Sequence, residues 1–252
     1  QSRSSAASDV YKRQEKLLAG VEVERAVDKV AAIRFPDPAP CGKTPLTARN
    51  LTKTYGSLEV FTGVDLNIDR GSQVVVLGLN GAGKTTLLRI LAGKESPDTG
   101  EVIAGHGLKL GYFAQEHDLL EMDRTVLENM ASSATDLNET EMRKVLGSFL
   151  FTGDDVHKPA RVLSGGEKTR LALATLVVSS ANVLLLDEPT NNLDPASRAQ
   201  VLDAIRNFGG AIVLVTHDEG AVHALDPDRV LVLPDGTEDM WSADYAELIS
   251  LA

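Results

Sequence analysis

The 252-residue chain holds one cysteine, Cys41, so no disulfide can form within it, and a lone thiol fits a reducing cytosol. No apolar run is long enough to span a bilayer, and the start carries no secretory pattern. Basic residues are short: 25 Lys and Arg against 36 Asp and Glu leave a net charge of −11. Phosphate backbones are held by Lys and Arg, so this balance argues against a broad nucleic-acid footprint while leaving room for a local basic patch. There is no internal repeat and no initiator Met. At 43% hydrophobic and 24% charged, the composition suits one large α/β domain, or one domain with an appendage.

The opening is uneven. Residues 1–14 include Ser2-Arg3-Ser4-Ser5-Ala6-Ala7-Ser8 and read as a non-native or disordered segment, which leads us to expect a chain truncated at its N-terminus. Residues 15–34 have loosely helical spacing through Leu17, Leu18, Val21, Val27, Val30 and Ile33. Phe35-Pro36-Asp37-Pro38-Ala39-Pro40 breaks any helix and reads as an extended connector up to residue 45. The domain proper is expected over 46–252.

The chain is organised around Gly78-Leu79-Asn80-Gly81-Ala82-Gly83-Lys84-Thr85, which fits G-x-x-x-x-G-K-[ST]. Val74-Val75-Val76-Leu77 before it reads as a buried strand, and Thr86 to Ala92 after it as an amphipathic helix stopped at Gly93. Glycines let successive N–H groups curl inward into an anion nest, and the helix start adds its partial positive charge. Lys84 is then placed for β- and γ-phosphates and the Thr85 hydroxyl for Mg²⁺.

Strands are expected over 46–55, 58–68, 101–104 and 108–113, and helices over parts of 123–151 with Asn138 or Thr140 as a cap. Tyr55 either stacks on a nucleobase or packs at an edge. Gln115 either meets a metal and a water or is a solvated loop residue. Leu163-Ser164-Gly165-Gly166-Glu167-Lys168 leads into a helix over 169–179. Val183 to Leu186 reads as a buried strand ending in Asp187-Glu188, either a metal-holding and base pair or simple strand-end acids. A helix over 195–208 and a strand over 211–216 follow, then His217, which is either a polar loop residue or a γ-phosphate contact. A hairpin over 230–241 and a helix over 243–251 close the chain.

Taken in order, the P-loop, Gln115, Leu163 to Glu167, Val183 to Glu188 and His217 resemble the nucleotide-binding domain of ATP-binding-cassette proteins, over Leu46 to about Leu251. The fold this resemblance implies is an α/β P-loop NTPase: a RecA-like core, an antiparallel β subdomain and a helical subdomain at about 116–163. Leu186-Asp187-Glu188-Pro189-Thr190-Asn191-Asn192-Leu193-Asp194, the Glu167-Lys168 ending and Gly147 to Asp155 resemble the ABC-F branch in particular, although many of its members carry His where this chain has Asn192. The resemblance implies ATP and Mg²⁺ as ligands. Tyr55 would stack on adenine, and Asn80, Gly81, Ala82, Gly83, Lys84, Thr85 and Thr86 would cradle the phosphates. Thr85, Gln115 and Asp187 would serve the metal, Glu188 would be the general base, and His217 would hold the γ-phosphate. Ser164, Gly165, Gly166 and Glu167 would close over the nucleotide of a second cassette, in cis or as a homodimer, with Asp194 at the seam. The branch implies a cytoplasmic ATPase acting on the ribosome, its RNA and tRNA, in translation or antibiotic resistance. The same cassette in a membrane transporter's ATPase subunit is the alternative.

Overall fold

The structure, a computed structural model, describes residues 37–113, 120–134, 137–191 and 193–249. The readings of residues 1–34, Gln115 and Asn192 therefore lie outside the described residues.

Strands β1 (Leu46–Tyr55) and β2 (Leu58–Ile68) form an antiparallel hairpin, and β4 (Thr99–Ala104) adds to the other edge of β1 in a three-stranded sheet. The second sheet has six strands: β3 (Gln73–Leu77), β5 (Leu110–Phe113), β6 (Val183–Asp187), β7 (Ala211–Val215), β8 (Arg229–Val232) and β9 (Thr237–Met240). Their order is β5-β6-β7-β3-β8-β9, all parallel except the antiparallel edge β9. The helices are α1 (Lys84–Leu91), α2 (Val126–Ser133), α3 (Glu139–Ser148), α4 (Gly165–Val178), α5 (Pro195–Asn207), α6 (Glu219–Leu225) and α7 (Ala246–Ile249), with short 3-10 turns at Gly153–His157, Ala160–Val162 and Ala243–Tyr245.

The central strands are apolar at almost every position because both faces of a parallel sheet are covered. Successive side chains alternate between two cores. Val75 and Leu77, Leu184 and Leu186, and Ile212 and Leu214 join the core built with α4, α5 and α6. Val74 and Val76, Val183 and Leu185, and Ala211, Val213 and Val215 join the core built with α1, β1 and β2. This is the P-loop NTPase architecture with an antiparallel β layer and a helical region, as the sequence implies.

Several boundaries differ from the sequence reading. Helix α4 starts at Gly165 rather than Thr169, because Ser164 and Glu167 form a reciprocal capping box that carries the helix through two glycines. Helix α6 was not foreseen; it is seven residues long and contains Gly220. The closing helix is a 3-10 turn followed by one turn of α-helix. Asn138, not Thr140, caps α3, again with a capping box to Glu141. The connector at 37–45 is extended but tied down: Gly42 N–H donates to His106 O at 2.9 Å, and Asn182 Nδ2 donates to Ala39 O at 3.1 Å.

Candidate active site

In an open parallel sheet, ligands bind beyond the carboxyl ends of the strands. Here three adjacent strands, in the order β6-β7-β3, end in chemistry. Gly78 to Gly83 follow β3, Glu188 follows β6, and Thr216 and His217 follow β7. These ends face a cleft of about 340 Å³ whose lining includes Tyr55, Asn80, Lys84, Thr85, Thr86, Asp187, Glu188 and His217.

The loop after β3 is shaped by glycine. Gly78, Gly81 and Gly83 all have left-handed φ, of 152°, 86° and 92°. A β-carbon at Gly83 would also collide with the Val60 and Phe61 side chains of β2, so this position excludes larger residues twice over. Gly83 is the N-cap of α1, and no side chain caps the helix. The first-turn N–H groups of an α-helix have no partner inside the helix, so this uncapped start is a ready anion site. Lys84 Nζ folds back onto Gly78 O at 2.5 Å and Leu79 O at 3.3 Å. Burial pushes the Lys84 pKa down, opposed by the carboxylates of Glu188 and Asp187.

On the opposite wall, Asp187 is 1% exposed, and neither carboxylate oxygen has a donor in hydrogen-bonding geometry. Burial pushes its pKa up. The Thr85 hydroxyl approaches closely enough to offset part of that shift without closing a well-formed bond, and Glu188 adds to the rise. A buried carboxylate left without partners is costly unless something charged completes it. A hydroxyl and a carboxylate beside a phosphate cradle are the hard-oxygen set a small divalent cation takes, with the remaining ligands from phosphate and water. The residues thus fit Mg²⁺. Among the described residues, no cluster of three or more His, Cys, Asp or Glu side chains is placed to hold a metal unaided.

Glu188 has φ 50°, a strained conformation for a residue with a side chain, held by its N–H to Val215 O at 2.9 Å and by Asn191 N–H to its own carbonyl at 3.2 Å. The turn aims the carboxylate at the cleft. Oε1 lies 2.8 Å from His217 Nδ1, and Oε2 accepts from the Thr216 hydroxyl at 3.2 Å. Tyr55 is 48% exposed at the cleft's edge. Its hydroxyl donates to Glu95 Oε1 at 2.5 Å, and Lys53 Nζ lies 5.2 Å from the ring centroid. Both contacts fix the ring.

Ser164, Gly165, Gly166, Glu167 and Asp194 do not line this cleft. They stand at the starts of α4 and α5, where Arg170 Nη1 on α4 donates to Ser197 Oγ at 3.2 Å and lies 3.5 Å from Asp194 Oδ2. Sequence reasoning missed the apolar wall of Leu58 and Val60, and also Asn191. Leu58 and Val60 sit on alternate positions of β2 and no motif marks them.

The fold and the cleft define a nucleotide-binding cassette, and comparison with known proteins agrees. Residues 61–191, just over half of the chain, match the protein family described as ABC transporter, and the chain belongs to that family. Its curated relatives include ABC-F members. It is 35% identical to ABC transporter F family member 5 of Arabidopsis thaliana over 245 residues, covering 96% of this chain and 35% of that one. It is 39% identical to "Probable ATP-binding protein YheS" of Escherichia coli K12 over 207 residues, covering 82% and 32% respectively. The chain thus spans about a third of the length of these relatives. Among solved structures, the ATP-binding cassette MJ0796, in a dimeric post-hydrolysis state bound to ADP and Pi, matches with a TM-score of 0.65 at 25% identity, covering 79% of this chain and 99% of that one. This chain is an ABC-F family ATP-binding cassette. No described helix is long and apolar enough to cross a membrane.

Proposed function

We propose that the chain is an ATP-hydrolysing cassette that works as a nucleotide-driven clamp with a second cassette, within an ABC-F protein that acts on the ribosome through its RNA and tRNA. The observation that carries the hydrolytic reading is the convergence of Glu188, His217 and the unpartnered Asp187 on the uncapped start of α1 across one cleft. Tyr55 stacks on the base. The backbone of Asn80 to Thr86 and the Lys84 ammonium neutralise the phosphates, and Glu188 takes the proton of the attacking water while His217 holds its carboxylate and the γ-phosphate in line. A divalent cation held by Thr85 and Asp187 supplies further charge neutralisation at the phosphates when bound. Gln115 is proposed beside that cation from the motif alone.

Ser164, Gly165, Gly166, Glu167 and Asp194 lie off this cleft, which supports their service to the nucleotide of the opposite cassette. The MJ0796 structures are described as dimeric. Two composite sites then form only when two cassettes meet, and loss of the γ-phosphate contacts opens them. ATP turnover by the isolated chain should rise with the square of its concentration at high dilution; a first-order rate in a monomeric sample refutes the clamp. In the full-length protein, Glu188→Gln should lower kcat by about 10²- to 10⁴-fold while retaining ATP. That variant should co-pellet with ribosomes in ATP, and its sedimentation with membranes instead overturns the ribosomal part.

A further inference from the structure

Glu188 and His217 stand on two turns with no regular structure, and their 2.8 Å contact must be held from outside. Asp218, next in sequence to His217, is the best-connected carboxylate nearby. It accepts from Arg198 Nε at 2.8 Å and Arg198 Nη2 at 2.5 Å and from the N–H groups of Gly220 at 2.8 Å and Ala221 at 3.3 Å, and the nearby Thr190 hydroxyl helps to lower its pKa. The Arg198 contact is the largest cause holding its pKa at about 2. Asp218 N–H in turn donates to Thr216 Oγ1 at 3.0 Å, the hydroxyl that donates on to Glu188 Oε2. The arginine fork therefore reaches His217 through the backbone and Glu188 through Thr216.

Gly220 gives a second, independent sign. A β-carbon there would stand 2.5 Å from Arg198 Nη2 and 3.1 Å from Asp218 Oδ1. Gly220 does not have a left-handed φ, so a side chain there would strain no backbone but would have to displace the guanidinium. Arg198 itself is anchored. Its N–H donates to Asp194 O at 2.9 Å, in the first turn of α5 that Asp194 and Ser197 close and Arg170 of α4 contacts.

We propose that Arg198, seated in the space left by Gly220 and forked onto Asp218, is a positioning residue for the Glu188–His217 pair. It fixes the geometry of the base from α5 without touching substrate. The inference rests on the reading of Glu188 as the base. It also links the first turn of α5, which Asp194 precedes, to the hydrolytic pair through Asp218 and Thr216.

The test is steady-state ATP turnover of the full-length protein, with Tm measured on each variant. Arg198→Ala should lower kcat about tenfold while KM for ATP stays within about twofold, the mark of an interaction expressed in the transition state. Arg198→Lys keeps the charge but not the fork and should fall between. Gly220→Ala should lower kcat about threefold or more by displacing the guanidinium, with a Tm no lower than that of Arg198→Ala. Added to Glu188→Gln, Arg198→Ala should cost nothing further, as expected of groups acting as one unit. If Glu188→Gln abolishes turnover while Arg198→Ala and Gly220→Ala keep wild-type kcat, the inference fails alone. So does a rise in KM at constant kcat, or a loss of kcat that merely tracks Tm. Wild-type turnover in Glu188→Gln removes the base and the inference together.

Discussion

Helices α1 and α4 both open on glycine, yet their first turns are completed in opposite ways. Helix α1 begins after Gly83, in a left-handed conformation, with no side-chain cap and no acid in its first turn. Helix α4 begins after Ser164, whose hydroxyl accepts from Glu167 N at 3.3 Å while Glu167 Oε2 accepts from Ser164 N at 2.7 Å. The first start leaves its donors and its positive end to a ligand; the second satisfies itself. Glycine at a helix start thus has two meanings. In α1 it is demanded by a left-handed φ and by contact with Val60 and Phe61. At Gly165 a β-carbon would meet open space, so nothing among the described residues requires its absence.

Making the first start resemble the second should have the largest effect. Gly83→Ser supplies a capping side chain, but at φ 92° and into the Val60 and Phe61 side chains. Strain and overpacking together should cost on the order of 3 kcal/mol, read by chemical denaturation, and nucleotide binding measured by calorimetry should be lost with it.

A third start, that of α6, is capped by Asp218 and titrates. Its carboxyl at about 2 lies below the ordinary 3.8, so it stabilises the fold fully above about pH 4 and loses that contribution as pH falls toward 2. The loss should be at most about 2 kcal/mol, since Arg198 is 41% exposed and partly screened. Asp218→Asn should flatten this acid limb in Tm measured against pH.

At α4, Ser164→Ala should cost about 1 kcal/mol, seen as a Tm lower by a few degrees, with nucleotide affinity of the cassette itself unchanged. Glu167→Gln preserves the capping geometry and removes only the charge at the helix start, so about 0.5 kcal/mol is expected. The Glu167 carboxyl is itself held below its ordinary value, chiefly by the Ser164 N–H. The difference between wild type and this variant should therefore vanish as pH falls below that range.

What sequence could reveal depended on contiguity. The P-loop and the strand ending in Asp187 and Glu188 were legible because each pattern is written in adjacent residues, and strand burial shows as unbroken Val, Ile and Leu, whereas the Ser164 cap of α4 was not, because the two glycines after it mask the helix start. The pairing of Arg198 with Asp218 across 20 positions was not legible, because a helix-borne arginine and a post-strand aspartate carry no local signature. Nor was α6, since seven residues with an internal glycine give too little periodicity. The apolar side of the cleft escaped notice because Leu58 and Val60 read as ordinary strand residues. Tyr55 was left open between stacking and packing. Its exposure at the cleft's edge, with Glu95 and Lys53 bracing it, is consistent with the stacking role proposed for it.

The strand order has a temporal consequence. The P-loop follows β3, but its neighbours in the sheet, β7 and β8, and the acids at the end of β6 are synthesised more than a hundred residues later. A nascent chain that ends soon after the loop carries the cradle's residues but not the sheet neighbours of β3, so the cleft cannot form before the long-range pairing of β6, β7 and β3 is made. Any nucleotide that prefers the finished cleft then draws the chain toward that pairing by mass action, so a ligand of the cleft would also help complete its assembly.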